Sequence, residues 1–264
     1  MDIAHAARTP AEIYDEMFVP ALFRQWGPIL SEVARIKRGD RVLDVACGTG
    51  ALALAALERV GPEGAVIGLD PNPDMLSVAR RNSARIDWQE GRAESLPFPD
   101  QHFDAVVSQF GFMFFEDRAR ALREMMRVLR PGGRLAVAVC DALEHSPGYA
   151  AFAALLQRLF GERVAEAFRA PFVLGDPEGL RAICREAGMQ HAEILQRTGT
   201  VRFSSIGALV STERACVWTL GGVLDDAQFA QLNQEAERAL KPFIVENGAI
   251  GFDMPALIIT AGRR

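Results

Sequence analysis

Arg41-Val42-Leu43-Asp44-Val45-Ala46-Cys47-Gly48-Thr49-Gly50 is the stretch whose reading decides the fold. Arg41–Val45 carries the large and β-branched apolar side chains of a short buried strand. Glycines then end the strand, and the alanine- and leucine-rich run from Ala51 to Val60 reads as a helix. A strand feeding a helix through a glycine turn lets backbone approach a ligand closely. The first turn of that helix offers free N–H groups.

Those features suit any nucleotide-like cofactor. Gly48-x-Gly50-x-x-Ala53, with Asp70 twenty residues beyond Gly50, also matches the dinucleotide fingerprint. The glycines therefore leave NAD and S-adenosylmethionine both open. Asp44 shifts the balance, because a carboxylate at the strand end repels a pyrophosphate and suits a ligand carrying an ammonium and a sulfonium. The bland alternative for Asp44 is a turn carboxylate. Asp70 closes the next strand, where it can take both ribose hydroxyls of an adenosine or simply cap a helix. Pro71 and Met75 can lie against an adenine ring, although a lone methionine is more often core.

Outward from the loop, strands and helices alternate. Strands are expected at residues 65–70, 86–90, 103–108 and 134–139, with helices at 74–82 and 118–129. This alternation predicts a parallel, doubly wound α/β sheet. Before it, Thr9-Pro10-Ala11-Glu12 reads as a capping box, and Pro20 is expected to split the following apolar run into two short helices. After it come a helix started by Asp176-Pro177-Glu178 and ending at Gly188, and a strand at about 192–203. A long polar helix capped by Asp225-Asp226 is expected to run towards Asn247-Gly248, ahead of a last strand at 255–261. One domain is expected over 1–264, with an N-terminal helical cover (1–34), a cofactor-binding core (35–140) and helical lid insertions at 145–175 and 204–248.

Bulk properties bound the function. The chain has 264 residues, 49% hydrophobic and 24% charged, as a packed globular core requires. The net charge of −5 and the absence of a basic stripe disfavour a nucleic-acid partner. Cys47, Cys140, Cys184 and Cys216 form no CxxC pair, so neither a zinc site nor a disulfide framework is suggested and no metal is expected. No signal peptide and no integral membrane segment are evident, and a cytoplasmic location is expected.

Four motifs in register carry a resemblance to a known family. Val42 to Gly50 resembles the first motif of class I S-adenosylmethionine-dependent methyltransferases, most nearly the branch of the ubiquinone and menaquinone biosynthesis C-methyltransferases. Gly68-Leu69-Asp70 with Met75, Gly91-Arg92-Ala93-Glu94-Ser95-Leu96-Pro97-Phe98, and Leu129-Arg130-Pro131-Gly132-Gly133 resemble three further motifs in order. The match covers residues 35 to 140. The resemblance implies a Rossmann-like seven-stranded sheet of order 3-2-1-4-5-7-6, its seventh strand antiparallel. It implies cofactor contacts from Asp44, Ala46, Cys47, Gly48, Gly50, Asp70, Pro71, Met75, Ala93, Glu94, Gln109 and Phe110. Glu94 would accept from the adenine amino group. Ser108-Gln109-Phe110-Gly111 departs from the Asn/Asp-Pro-Pro-Tyr/Phe of enzymes that methylate exocyclic amines of DNA or glutamine.

Methyl transfer asks the protein mainly to align a nucleophile with an already activated carbon. The candidate bases are His145, after the fifth strand, and Tyr14 in the N-terminal cover. His102 reads as a solvated turn residue, and His5 and His191 have no chemical neighbours in sequence. Tyr14, Phe18, Phe112, Met113, Phe115, Tyr149 and Trp218 are candidates for a substrate pocket, with Phe114, Phe152 and Phe172 beside them, against an ordinary core role. The expected reaction transfers methyl to carbon, oxygen, nitrogen or sulfur of a small, largely apolar acceptor and releases S-adenosylhomocysteine. The competing readings are a nicotinamide-dependent oxidoreductase, a non-catalytic cofactor-binding module, and methylation of RNA or protein.

Overall fold

The computed structural model describes residues 8–216 and 219–263, so Trp218 lies outside the described residues. The chain enters through α1 (Pro10–Ile13), started by a complete capping box in which the Glu12 amide donates to Thr9 and the Thr9 amide to Glu12. It continues as a π-helix over Tyr14–Phe23 and then as α2 (Trp26–Val33). Pro20 does not divide this run, contrary to expectation. The π-helix passes through it, and the break falls at the turn before Trp26. A π-helical stretch is a rare conformation, often found at functional sites.

The central layer is a seven-stranded sheet. Its strands are β1 (Arg41–Val45), β2 (Ala65–Asp70), β3 (Asp87–Glu90), β4 (Phe103–Gln109), β5 (Leu129–Cys140), β6 (Glu193–Arg197) and, last in the chain, Ala256–Gly262. The spatial order places β3, β2, β1, β4 and β5 side by side in parallel. Ala256–Gly262 follows, antiparallel to both β5 and β6. This is the 3-2-1-4-5-7-6 order of the class I methyltransferase fold. Helices α3 (Ala51–Val60), α4 (Pro73–Asn82), α5 (Arg118–Val128) and α8 (Pro177–Glu186) belong to this α/β part. The inner strands are apolar on both faces: Val42, Leu43, Val106, Val107 and the run Ala136 to Val139 are all fully buried.

Two regions differ from expectation. The strand expected at 192–203 divides into β6 and β7 (Thr200–Phe203), which serve different sheets. β7 pairs with β8 (Ile250–Asp253), an unanticipated strand, in a separate two-stranded sheet, leaving Ala256–Gly262 as β9. The division falls at Gly199, where a side chain would strike the Trp26 ring at 2.3 Å. Gln25 fastens this small sheet to the N-terminal cover, donating to the Thr200 carbonyl at 2.5 Å and accepting from its amide at 2.9 Å. The long polar helix starts at its expected cap, Asp225, but ends at Ala239, short of Asn247-Gly248. The remaining helices, α6 (Pro147–Phe160), α7 (Glu162–Arg169), α9 (Ile206–Ala215) and α10 (Asp226–Ala239), lie in the two insertions between the strands. Among the described residues no helix is long and apolar enough to cross a membrane.

Candidate functional site

Because β1 to β5 run parallel, their carboxyl ends lie on one edge of the sheet, and the strand order reverses between β1 and β4. Such a switch point leaves a crevice. A cavity of about 340 Å³ lies there, lined by Ala46 after β1, Asp70 ending β2, Ala93 and Glu94 after β3, Gln109 ending β4 and Cys140 ending β5. Tyr14, Phe18 and Phe23 of the π-helix and Tyr149, Phe168 and Glu213 from α6, α7 and α9 also line it.

Backbone strain marks the sheet side. Ala46 (φ 57°) and Phe110 (φ 55°) adopt left-handed conformations directly after the adjacent strands β1 and β4. Non-glycine residues held in this region concentrate at functional sites. The two turns touch: a Cβ on Gly111 would sit 2.5 Å from the Ala46 Cβ. The glycines of the loop divide by role. At Gly48 (φ 56°) a Cβ would meet nothing closer than the Tyr14 ring at 3.9 Å, so its missing side chain leaves space open to the cavity. At Gly50 (φ 96°) a Cβ would lie 2.5 Å from Trp88, so this glycine serves packing and does not line the cavity.

The charges here are acidic. Asp70 is nearly buried; one carboxylate oxygen accepts from the Gly48 amide at 2.8 Å and the other from the Asn72 amide at 2.9 Å. A carboxylate has about four acceptor sites, so further ones remain. Burial raises its carboxyl, against the lowering effect of those two amides. Asp44 is fully buried behind the loop, does not reach the cavity wall, and neither oxygen has a hydrogen-bond partner among the described residues. Burial pushes its carboxyl well up; the nearby Ala53 amide lowers it and the Asp70 charge raises it further. Glu94 accepts from the Glu116 amide at 3.0 Å. Arg92, the one cation among the described lining residues, lies 3.6 Å from Glu94 and 2.9 Å from Glu116. A buried carboxylate without a counterion, beside another, fits a cationic ligand and opposes a pyrophosphate.

The far side of the cavity is apolar. Tyr149 meets Phe168 edge-on at 5.5 Å and Phe172 at 6.0 Å, and Met113, Phe115 and Met254 also line the space. Within this wall Glu213 is 2% exposed, and Thr219 Oγ1 donates to its carboxylate at 3.0 Å. Burial pushes the Glu213 carboxyl up to about 7, while Thr219 and Tyr149 act to lower it.

Of the residues singled out from sequence, Tyr14, Phe18, Ala46, Gly48, Asp70, Pro71, Met75, Ala93, Glu94, Gln109, Phe110, Met113, Phe115 and Tyr149 line this one cavity. Gln109 donates to the Phe23 carbonyl at 3.2 Å, joining β4 to the cover. Asp44, Cys47 and Gly50 stand behind the wall, and Phe112 and Phe152 are fully buried in the core. His145 is half exposed, off the cavity, with Nδ1 3.2 Å from Asp141. Its position after β5 turns it towards that buried acid. Glu213, Thr219, Phe168 and Cys140 are lining residues that the sequence reading missed. One signal existed: Ile206, Leu209 and Val210 precede Glu213 at helical spacing, which puts the carboxylate on the apolar face of its helix.

Comparison with known proteins agrees with this geometry. The family model described as methyltransferase domain matches residues 43–137. A ubiquinone/menaquinone biosynthesis C-methyltransferase of Pseudomonas paraeruginosa is 32% identical over 216 residues, covering 76% of this chain and 84% of that protein. The enzyme of the same description from Xanthomonas campestris is 43% identical over 132 residues, covering 48% of this chain and 52% of its own. Among solved structures, the YcgJ protein of Bacillus subtilis superposes with a TM-score of 0.59 at 23% identity, covering 91% of this chain and 99% of that one. The [4+2]-cyclase SpnF superposes at 0.53 and 23% identity, covering 89% and 80%. These two likenesses speak for the fold alone. Relatedness to the Pseudomonas enzyme over most of both chains makes this protein a member of the S-adenosylmethionine-dependent methyltransferases, alongside the ubiquinone/menaquinone biosynthesis C-methyltransferases, with S-adenosylmethionine as its methyl donor.

Proposed function

We propose that the chain transfers a methyl group to carbon, oxygen, nitrogen or sulfur of a small, largely apolar organic acceptor and releases S-adenosylhomocysteine. The observation that carries this reading is a single cavity with an acidic end on the sheet edge and an aromatic end under the helices. In this reading the described part of the N-terminal cover (8–34) lies over the donor, 35–140 hold it, and the described parts of 145–175 and 204–248 close over the acceptor.

The residues present fit the donor. Asp70 has acceptor sites left for the ribose hydroxyls beyond those used by Gly48 and Asn72. Ala93 and Glu94 take the adenine edge, and Pro71 and Met75 take its face. Gly48 gives the amino-acid portion room, with Ala46, Gln109 and Phe110 around it. Asp44, buried without a counterion, favours positive charge from behind the loop without touching it. When bound, S-adenosylmethionine supplies a methyl carbon activated by positive sulfur. The task left to the protein is to exclude water and orient the acceptor, for which Tyr14, Phe18, Phe115 and Tyr149 provide the apolar walls.

The test is thermal. S-adenosylhomocysteine at a hundred times its Kd stabilises by about 2.7 kcal/mol. The expected rise in Tm is therefore roughly 5–10 °C, and NADH at the same concentration leaves Tm unchanged. No shift with millimolar S-adenosylhomocysteine overturns the reading. Screening apolar acceptors with labelled S-adenosylmethionine then identifies the substrate.

A further inference from the structure

The catalytic candidates visible in sequence do not supply a base on the aromatic side of the cavity. His145 lies off it, and Tyr14 has a hydroxyl whose ionisation is strongly opposed, by burial first and then by the charges of Cys216, Asp70, Asp15 and Asp44. One other carboxyl group lines the aromatic end. We propose that Glu213 recognises the acceptor there, accepting a hydrogen bond from its hydroxyl group and then taking that proton. This deepens the methyltransferase reading above and rests on it.

Three observations carry the assignment. Glu213 lines the cavity together with Tyr149, Phe168 and Cys216, from the last turn of α9. Its carboxylate accepts from the Thr219 hydroxyl, which also lies within 3.2 Å of the Glu213 carbonyl and can serve only one of the two at a time, so acceptor sites remain. The Tyr149 hydroxyl, buried beside it and close enough to interact, is outside hydrogen-bond geometry with any described group. A buried carboxylate with acceptor capacity to spare is costly unless a ligand completes it. The flanking walls are apolar, so they suit a hydrocarbon frame carrying one neutral O–H.

The chemistry balances. The acceptor O–H bond breaks and its proton passes to a Glu213 carboxylate oxygen. The electron pair left on the acceptor forms the new bond to the methyl carbon, while the carbon–sulfur bond breaks and its pair stays on sulfur. The carboxylate charge and the sulfonium charge disappear together. A base acts best when its pKa is near the working pH, and burial places Glu213 at about 7. The titratable groups facing it are Tyr149 from α6, Cys140 from the end of β5 and Cys216 after α9; burial pushes the Tyr149 hydroxyl and the Cys140 thiol up, so both are uncharged at neutral pH.

Matched probes test this on the full chain saturated with S-adenosylhomocysteine: 2-naphthol against 2-methoxynaphthalene, and phenol against anisole. The ethers keep the ring but cannot donate. At pH 8 the wild type is expected to bind the hydroxyl member of a pair about thirtyfold more tightly, as a charge-assisted hydrogen bond supports. Glu213→Gln reduces the preference to about threefold and makes it independent of pH. At pH 6 the wild-type preference falls towards the variant's value. S-adenosylhomocysteine affinity stays within about twofold in Glu213→Gln, which separates acceptor recognition from folding and from donor binding. Equal binding of the pair by the wild type, full preference retained in Glu213→Gln, or binding of neither probe overturns the proposal. A chain that does not bind S-adenosylhomocysteine overturns instead the donor reading beneath it.

Discussion

At the end of the cavity proposed to hold the donor, Ala46, Asp70, Ala93, Glu94 and Gln109 end or follow neighbouring strands of one sheet. At the end proposed to hold the acceptor, Tyr149, Phe168, Glu213 and Met254 come from three helices and a loop, separated along the chain by 105 residues from first to last. The donor end is built from backbone: left-handed turns at Ala46 and Phe110, amides bonded to Asp70, and a glycine left open. The acceptor end is built from side chains packed edge to face. A site made by strand ends carries the same ligand geometry wherever the sheet recurs, whereas a site made by helix packing changes with each side chain.

The sharpest way to break this contrast lies within the loop itself. Gly50→Ala drives a Cβ to 2.5 Å from Trp88 at a φ of 96°. Strain and overpacking together should cost on the order of 4 kcal/mol in urea unfolding. Gly48→Ala meets only open space, so it should cost about 1 kcal/mol of stability while weakening S-adenosylhomocysteine by roughly tenfold. Equal stability losses would show that both glycines serve packing.

The next effect is at the acceptor end and depends on pH. Glu213 holds its proton up to about 7 in the folded chain, against an ordinary value of 4.5. Between those limits the native state binds more protons than the unfolded state, so stability falls as pH rises through the window and levels off above it. Glu213→Gln removes this loss. The stability difference between variant and wild type should therefore grow, in the variant's favour, by about 3 kcal/mol from pH 5 to pH 8. Asp44 and Asp70 titrate in both chains and cancel in the difference. A flat difference means that the carboxyl is not buried as described.

A further effect concerns Asp70. Asp70→Ala should cost about 2 kcal/mol of donor binding, roughly thirtyfold in the Kd of S-adenosylhomocysteine, through lost hydroxyl contacts to a charged acceptor. The naphthol and methoxynaphthalene preference should be unchanged. A shift of that preference would couple the two ends and weaken the contrast between them.

Legibility follows the same division. The strands of the α/β core were readable because parallel strands buried on both faces are apolar throughout and glycine turns punctuate them. Their carboxyl ends were readable for the same reason, since a strand end is a local feature. The two-stranded sheet of β7 and β8 was not. Its two strands are separated in sequence by α9 and α10, and what splits β7 from β6 is a contact between Gly199 and Trp26. Pro20 misled because its missing amide usually ends a helix, and a π-helical run is too rare to be expected from composition. Phe112 and Phe152 belong to the core and Phe168 to the cavity, a distinction that no apolar pattern contains.

By itself, then, the order of residues determined the sheet and the donor, because alternation of strands and helices is written in local hydrophobic spacing and the family's motifs are local stretches of sequence. Tertiary structure alone decided which of the loop's residues face the cavity and which stand behind it. It also turned His145 towards Asp141 and brought Glu213 beside Tyr149. Those outcomes depend on how helices far apart in the chain pack across the sheet edge, and the desolvation that sets a carboxyl's proton affinity exists only once they have packed.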